Sequence, residues 1–114
     1  CDANFLEFCL YQDNSTIYFD QSGGETTFDN GSTLAVGTWI FLTGTWDGRT
    51  MDLYENGSLV KSVSYSHSMP TGSDLGIGGT GEAYYKGTID DVRLYNRALS
   101  AAEVWDLYLT TGGT

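Results

Sequence analysis

Cleavage of a glycosidic bond calls for two carboxyl groups on one face of a strand, close enough to flank the bond, one serving as acid and the other as nucleophile or base. The five glutamates, Glu7, Glu25, Glu55, Glu82 and Glu103, are scattered, and none has an acidic partner at i+4 within a predicted strand. The single histidine, His67, stands in a serine-rich stretch with no cysteine or carboxylate beside it in sequence, so neither a nucleophile triad nor a zinc site forms around it. These residue types point away from catalysis. Calcium is a better fit, because it takes carboxylate and carbonyl oxygens and the chain is rich in aspartate-bearing turns. Sugar binding is also permitted: it combines an aromatic platform for C–H faces with Asp, Asn or Gln for hydroxyls, and 8 Tyr and 3 Trp are available. Tyr84 and Tyr85 beside a glycine loop are the surface candidates, followed by Tyr65 and Asn30. Trp46 and Trp105 are expected in the core, from strand phase and helix face respectively.

The cysteines leave several states open. Cys1 and Cys9 form no CxxC motif. If residues 5–11 are one strand, their Cα atoms lie tens of ångströms apart at ~3.3 Å per residue, whereas a disulfide needs them within ~7 Å. A Cys1–Cys9 bridge therefore requires residues 1–4 to fold back. The other states are a terminal thiol with a half-buried strand cysteine, pairing with another chain, or a lipid on Cys1 as a mature lipoprotein terminus.

With 114 residues the chain makes one domain, expected over residues 1–109 with a flexible tail at 110–114. A net charge of −10 repels phosphate backbones and anionic headgroups, which argues against nucleic acid or a membrane surface as partner. Apolar runs such as residues 39–42 fall far short of the ~20 residues that span a bilayer. The opening Cys-Asp-Ala-Asn has neither the basic nor the apolar segment of a secretory signal, so a targeting peptide is expected to have been removed or to lie outside the sequence.

The elements that must position these residues are mostly strands. Fifteen glycines, one proline and many Thr, Ser and Tyr give short extended runs between tight turns. A hairpin is predicted from residues 4–11 and 16–20 around Gln12-Asp13-Asn14-Ser15, then a weak strand near 26–28 and a loop at Asp29-Asn30-Gly31-Ser32. Residues 39–46 read as a strand with Ile40, Leu42, Gly44 and Trp46 pointing inward, closed by Asp47-Gly48. Asn56-Gly57 offers positive φ at both central positions of a type I′ turn, joining residues 51–55 to 58–66. A loop at 67–73, a short strand at 74–78, a flexible connector at 79–81 and a long final strand over 84–95 follow. Ser100 and Glu103 have capping-box spacing, so a short helix to about Tyr108 is expected, with Val104, Trp105, Leu107 and Tyr108 on one face. Arg93 and Arg97, set among Asp90, Asp91 and Glu103, read as ion-pairing residues.

Three stretches resemble one family: Gly37-Thr38-Trp39-Ile40-Phe41-Leu42-Thr43-Gly44-Thr45-Trp46-Asp47-Gly48, Leu53-Tyr54-Glu55-Asn56-Gly57, and Gly87-Thr88-Ile89-Asp90-Asp91-Val92-Arg93-Leu94-Tyr95-Asn96-Arg97-Ala98-Leu99-Ser100. Their order and spacing are similar to the laminin-G-like modules of the concanavalin A-like lectin and glucanase superfamily. The resemblance implies an all-β fold, an antiparallel β-sandwich of jelly-roll type with a short C-terminal helix, presented outside the cell or on its surface. It implies a recognition or adhesion module for a glycan or a protein. The glucanases of the superfamily carry an alternating E-x-D-x-E strand, which this sequence lacks. Asp90 aligns with a strand-start aspartate that ligates a structural Ca²⁺ in related glucanase sandwiches, and is the metal candidate. Family members are longer at the front, so N-terminal strands are expected to be missing, either in a minimal sandwich or in a fragment of a larger chain. A missing strand exposes unpaired amides, and self-association or strand addition by another chain follows as the alternative role, a structural subunit of a filament, fibre or surface assembly.

Overall fold

The computed structural model describes residues 8–13, 16–21, 29–33, 37–64, 79–80 and 83–112, with side chains over 37–64 and 85–110. Among the described residues eight strands run in chain order, β1 (Phe8–Asp13), β2 (Thr16–Gln21), β3 (Asp29–Thr33), β4 (Leu42–Trp46), β5 (Thr50–Glu55), β6 (Ser58–Ser64), β7 (Gly79–Thr80) and β8 (Ala83–Tyr84). They are followed by helix α1 (Ala101–Leu107), which continues into a π-helical turn at Tyr108–Gly112. The strands make two three-stranded antiparallel sheets, ordered β1-β2-β3 and β4-β5-β6, and a two-stranded pair β7-β8. A mostly-β fold with one short helix is thus in place.

The expected pairing of the first two strands is present, with Gln12 and Asp13, expected in the turn, drawn into β1. Asp13 pairs with Thr16, and Cys9 lies opposite Asp20. Cys1 lies outside the described residues. The third strand differs from expectation: residues 26–28 are outside the described set, while residues 29–32, expected as a loop, lie in β3, which pairs with β2 across a register shift. Turn-type composition at Asn30 and Gly31 yields there to the ladder offered by β2.

The second sheet is built on two turns. At the first, Gly48 has φ 97° at the leading central position and Arg49 is not left-handed, the φ signs of a type II′ turn. The Asp47 carboxylate fastens it, with Oδ1 accepting from the amides of Arg49 and Thr50 at 2.8 Å each. Those two donors hold the Asp47 carboxyl below its ordinary range. At the second, Asn56 (φ 50°) and Gly57 (φ 80°) form the expected type I′ pair, with Glu55 opposite Ser58. Asn56 also reaches back: its amide donates to the Phe41 carbonyl at 2.8 Å, and its Oδ1 accepts from the Phe41 amide at 3.0 Å. The turn residue so carries pairing one step past the end of β4.

Burial follows register. Met51 and Leu53 are fully buried on one face of β5, opposite Trp46 and Gly44 of β4. Tyr54 is buried on the other face, in a cluster with Leu99 and Val104 that Leu107 flanks. Tyr54 is thus a buried residue on the face that β5 otherwise gives to Thr50 and Asp52, and the alternation of the strand breaks at Leu53-Tyr54. Thr45 is the buried residue of β4, Trp46 is half-buried, and residues 39–41 precede the strand. The inward row expected at Ile40, Leu42, Gly44 and Trp46 is thus only half-buried or exposed, because β5 supplies the buried side chains of that face.

The helix begins as predicted. Ser100 Oγ accepts from the Glu103 amide at 3.2 Å, and a Glu103 carboxylate oxygen accepts from the Ser100 amide at 3.0 Å, a complete capping box. Val104 is its buried residue. Trp105, expected in the core, is 44% exposed at the rim, where it packs at a tilt against Tyr108 with ring centroids 5.6 Å apart. Tyr108 also lies against Phe41, centroids 6.2 Å apart. Thr110 lies in the π-helical turn, its hydroxyl donating to the carbonyl of Asp106 at 2.9 Å.

Two further readings are corrected. Gly79 and Thr80, expected as a flexible connector, are β7, with Gly79 opposite Tyr84. The long strand expected over 84–95 ends at Tyr84, and residues 85–99 have no regular structure. The backbone turns left-handed at Asp91 (φ 54°), where Asp90 Oδ1 accepts the Asp91 amide at 2.8 Å. An aspartate bonding its neighbour's amide diverts the chain from a ladder.

Candidate functional site

The four sugar candidates do not meet in one described site. Tyr65 lies outside the described residues. Asn30 belongs to β3, an outer strand of the first sheet, and Tyr84 to β8. Tyr85 is exposed, with its ring folded over Gly87. A Cβ at position 87 would sit 2.7 Å from the Tyr85 ring, so glycine there lets the ring lie against the backbone.

Asp90 stands in the turn just described, its carboxylate engaged by the Asp91 amide, while Asp91 Oδ1 accepts from Arg93 Nε at 3.0 Å. Among the described residues no group of three His, Cys, Asp or Glu comes together around a metal-sized space.

Side chains of different chemistry do converge elsewhere. An open depression of about 270 Å³ lies between the chain at 95–99 and the outer face of the helix, lined by Tyr95, Arg97, Leu99, Glu103, Asp106, Leu107 and Thr110. Its floor is fixed by Leu99, buried against Tyr54 and Val104. Its wall is fixed by a two-pronged pair: Arg97 donates from Nη1 to Glu103 Oε1 at 2.8 Å and from Nη2 to Oε2 at 2.5 Å. This fork carries both geometry and charge, and it ties the irregular chain to the capping box that starts the helix. Tyr95 is half-exposed at the edge, and Asp106 is exposed.

The Arg97 guanidinium, with help from the Ser100 amide, holds the Glu103 carboxyl down at about 2. A depressed folded-state value means that the stabilisation is complete above the unfolded value near 4.5 and disappears as pH falls toward 2. Helix fraying is therefore expected between pH 4.5 and 2, with a Glu103 carboxyl midpoint near 2 by NMR titration. Arg97→Ala should move that midpoint back toward 4.5, and an unmoved midpoint would show that Arg97 is not its cause.

Sequence reasoning assigned Arg97 to ion pairing, as found, but did not assemble this depression. The signal was present. Glu103, Asp106, Leu107 and Thr110 repeat at i, i+3, i+4 and i+7, a stripe on one helix face. What the stripe faces is set by the return of residues 95–99, which no local pattern states.

A search of curated proteins finds no match to this chain. Among solved structures, the 2.1 Å crystal structure of an S-layer domain-containing protein (residues 221–444) from Clostridium thermocellum ATCC 27405 is similar, with a TM-score of 0.54 and 32% sequence identity. The match covers 82% of this chain and 50% of that one, so the chain spans half the length of that structure. A family profile described as the concanavalin A-like lectin/glucanases superfamily matches residues 2–105. That range takes in all eight strands and the start of the helix, and with it the chain belongs to the concanavalin A-like lectin/glucanase superfamily as a laminin-G-like module.

Proposed function

We propose that this chain is a non-catalytic recognition module, displayed on a cell surface or outside the cell, that binds carbohydrate in the depression beside helix α1. The observation that carries this reading is the meeting of Tyr95 with Arg97, Glu103, Asp106 and Thr110 around one open space. An aromatic edge with charged and hydroxyl-bearing neighbours suits a sugar, whose C–H faces want a ring and whose hydroxyls want donors and acceptors. In this reading the two three-stranded sheets stack as the jelly-roll sandwich of the family. The S-layer domain-containing relative supports display at a surface. Tyr85, resting on Gly87, offers an additional exposed ring.

The test is an NMR titration of the labelled chain with a panel of soluble oligosaccharides. Saturable shifts at the amides of 95–99 and 103–110 are expected for at least one glycan, and Tyr95→Ala should weaken its binding about tenfold, the loss of roughly one aromatic contact. Absence of saturable shifts, or shifts confined to other residues, would reject the site. Native mass spectrometry with and without EDTA tests the calcium expectation: a loss of ~40 Da assigns calcium to the chain, its absence from Asp90→Asn places it at Asp90, and an unchanged mass of the parent chain removes it.

A further inference from the structure

Asn56-Gly57 combines two features that let a chain modify itself. Glycine puts no Cβ in front of its amide nitrogen, and asparagine carries a side-chain carbonyl carbon within one ring closure of it. When the two meet, the Gly57 nitrogen attacks Asn56 Cγ, a C–N bond forms, and the side-chain nitrogen leaves as ammonia with the proton that Gly57 gives up. The succinimide ring so made then takes up water at one of its two carbonyls. One opening leaves aspartate at position 56; the other leaves isoaspartate, in which the main chain runs through the former side-chain carbon. The reacting groups are neighbours in the chain, and the co-reactant is water.

The fold holds these atoms apart. Phe41 grips Asn56 twice, its carbonyl accepting from the Asn56 amide at 2.8 Å and its own amide donating to Oδ1 at 3.0 Å. Both groups of Asn56 thus reach one residue, which lays the side chain along its own amide nitrogen and away from that of Gly57. The backbone adds a second barrier. Ring closure needs Cβ and the Gly57 nitrogen on the same side of the Asn56 Cα–C bond, whereas the type I′ turn, with Asn56 at φ 50° and Gly57 at φ 80°, sets them nearly opposite. Rotating that bond moves Gly57, and Gly57 is buried under the helix, where a Cβ on it would come within 2.8 Å of the Trp105 ring and 3.0 Å of Tyr108 Cβ.

We propose that Asn56-Gly57 is a self-modification site under conformational control, shut in the folded chain by the Phe41 clasp and the helix above Gly57, and reacting only from an opened turn. The step is one-way. Isoaspartate adds an atom to the main chain of a two-residue turn and withdraws the oxygen that the Phe41 amide held, so a chain modified in this way does not rebuild the clasp.

The test is incubation of the full chain in mildly alkaline buffer with and without urea, followed by peptide mapping for a gain of about 1 Da at residues 56–57 and chromatographic separation of the isoaspartyl form. The folded chain should react at least about tenfold more slowly than the urea-unfolded chain. Trp105→Ala removes the ring over Gly57, and should speed the folded reaction at least about threefold while leaving the rate in urea unchanged. Hydrogen exchange of the wild-type Asn56 amide, which the Phe41 carbonyl accepts, reads the same opening without a variant: its protection should match the slowing of the reaction to within about threefold. Equal rates with and without urea overturn the proposal. So does a folded Trp105→Ala chain that reacts no faster than wild type, or a slowing that does not follow the protection of the Asn56 amide. If Trp105→Ala fails to fold by circular dichroism, the two wild-type measurements decide.

Discussion

Gly57→Ala is expected to lower stability by about 3 kcal/mol, from a backbone cost of roughly 1–2 kcal/mol and a steric cost of about 1–3 kcal/mol. The backbone cost arises because Gly57 sits at φ 80°, where an L side chain crowds its own carbonyl. The steric cost arises because a Cβ there would come within 2.8 Å of the Trp105 ring and 3.0 Å of Tyr108 Cβ. The tryptophan could swing aside, since it is 44% exposed, but Tyr108 Cβ moves only with the helix backbone. The substitution therefore opens the hairpin turn and pushes the helix off it at once. Thermal unfolding should show a fall in Tm of roughly 10–15 °C, taking about 4 °C per kcal/mol for a chain of this size. Gly48→Ala is the control: it shares the positive φ, at 97°, but its Cβ would meet nothing within 4 Å. It should lose only the backbone part. Equal losses in the two variants would refute the helix contact.

Leu53→Ala is expected to cost a similar amount, about 3 kcal/mol within the usual 2–5 for a buried leucine. Leu53 is fully buried at the centre of the second sheet, with Gly44 opposite on β4 and Lys61 opposite on β6. Glycine gives no side chain to close the space that truncation leaves, so the cavity term adds to the lost transfer energy. Leu94→Ala removes the same atoms from a side chain 71% exposed and should stay within about 0.5 kcal/mol. Urea unfolding of both variants reads the difference directly as a shift in midpoint. If the two leucines cost the same, the second sheet is not where the described core lies.

Both variants probe features of unequal visibility in the sequence. The positive-φ pair at Asn56-Gly57 and the Ser100–Glu103 capping box are written in residues two to four positions apart, whose side chains and backbone complete each other before any tertiary contact forms. Both formed as read. The Asp47-Gly48 turn was legible too, although its central pair is shifted by one residue to Gly48-Arg49. By contrast, the strand pattern over 84–95 records only what the residues prefer to touch. A ladder needs a partner backbone; among the described residues none pairs with 85–95, and there the Asp90 carboxylate accepts from the next amide.

The candidate site shows the same division. Picking Tyr84, Tyr85, Tyr65 and Asn30 for surface exposure used composition and proximity to glycine, and such criteria say nothing of convergence. Tyr95, Arg97, Asp106 and Thr110 come together because the chain returns from residue 95 to the helix and is tied there by the Arg97–Glu103 fork. Their separation in sequence, from 95 to 110, spans two elements whose relative placement is set by Leu99 and Val104 packing on Tyr54.

What the sequence determined by itself is the local grammar, namely the turns, the helix start and an acidic, β-rich chain, together with the family to which its motifs belong. Tertiary structure alone decided which faces are buried. Tyr54 is covered because the helix lands on its side of β5, and Trp105 is left at the rim because Gly57 brings the hairpin turn against it. The physical reason is that hydrogen bonds within a turn are satisfied by neighbours in the chain, whereas burial is a property of surfaces that meet only when distant segments pack.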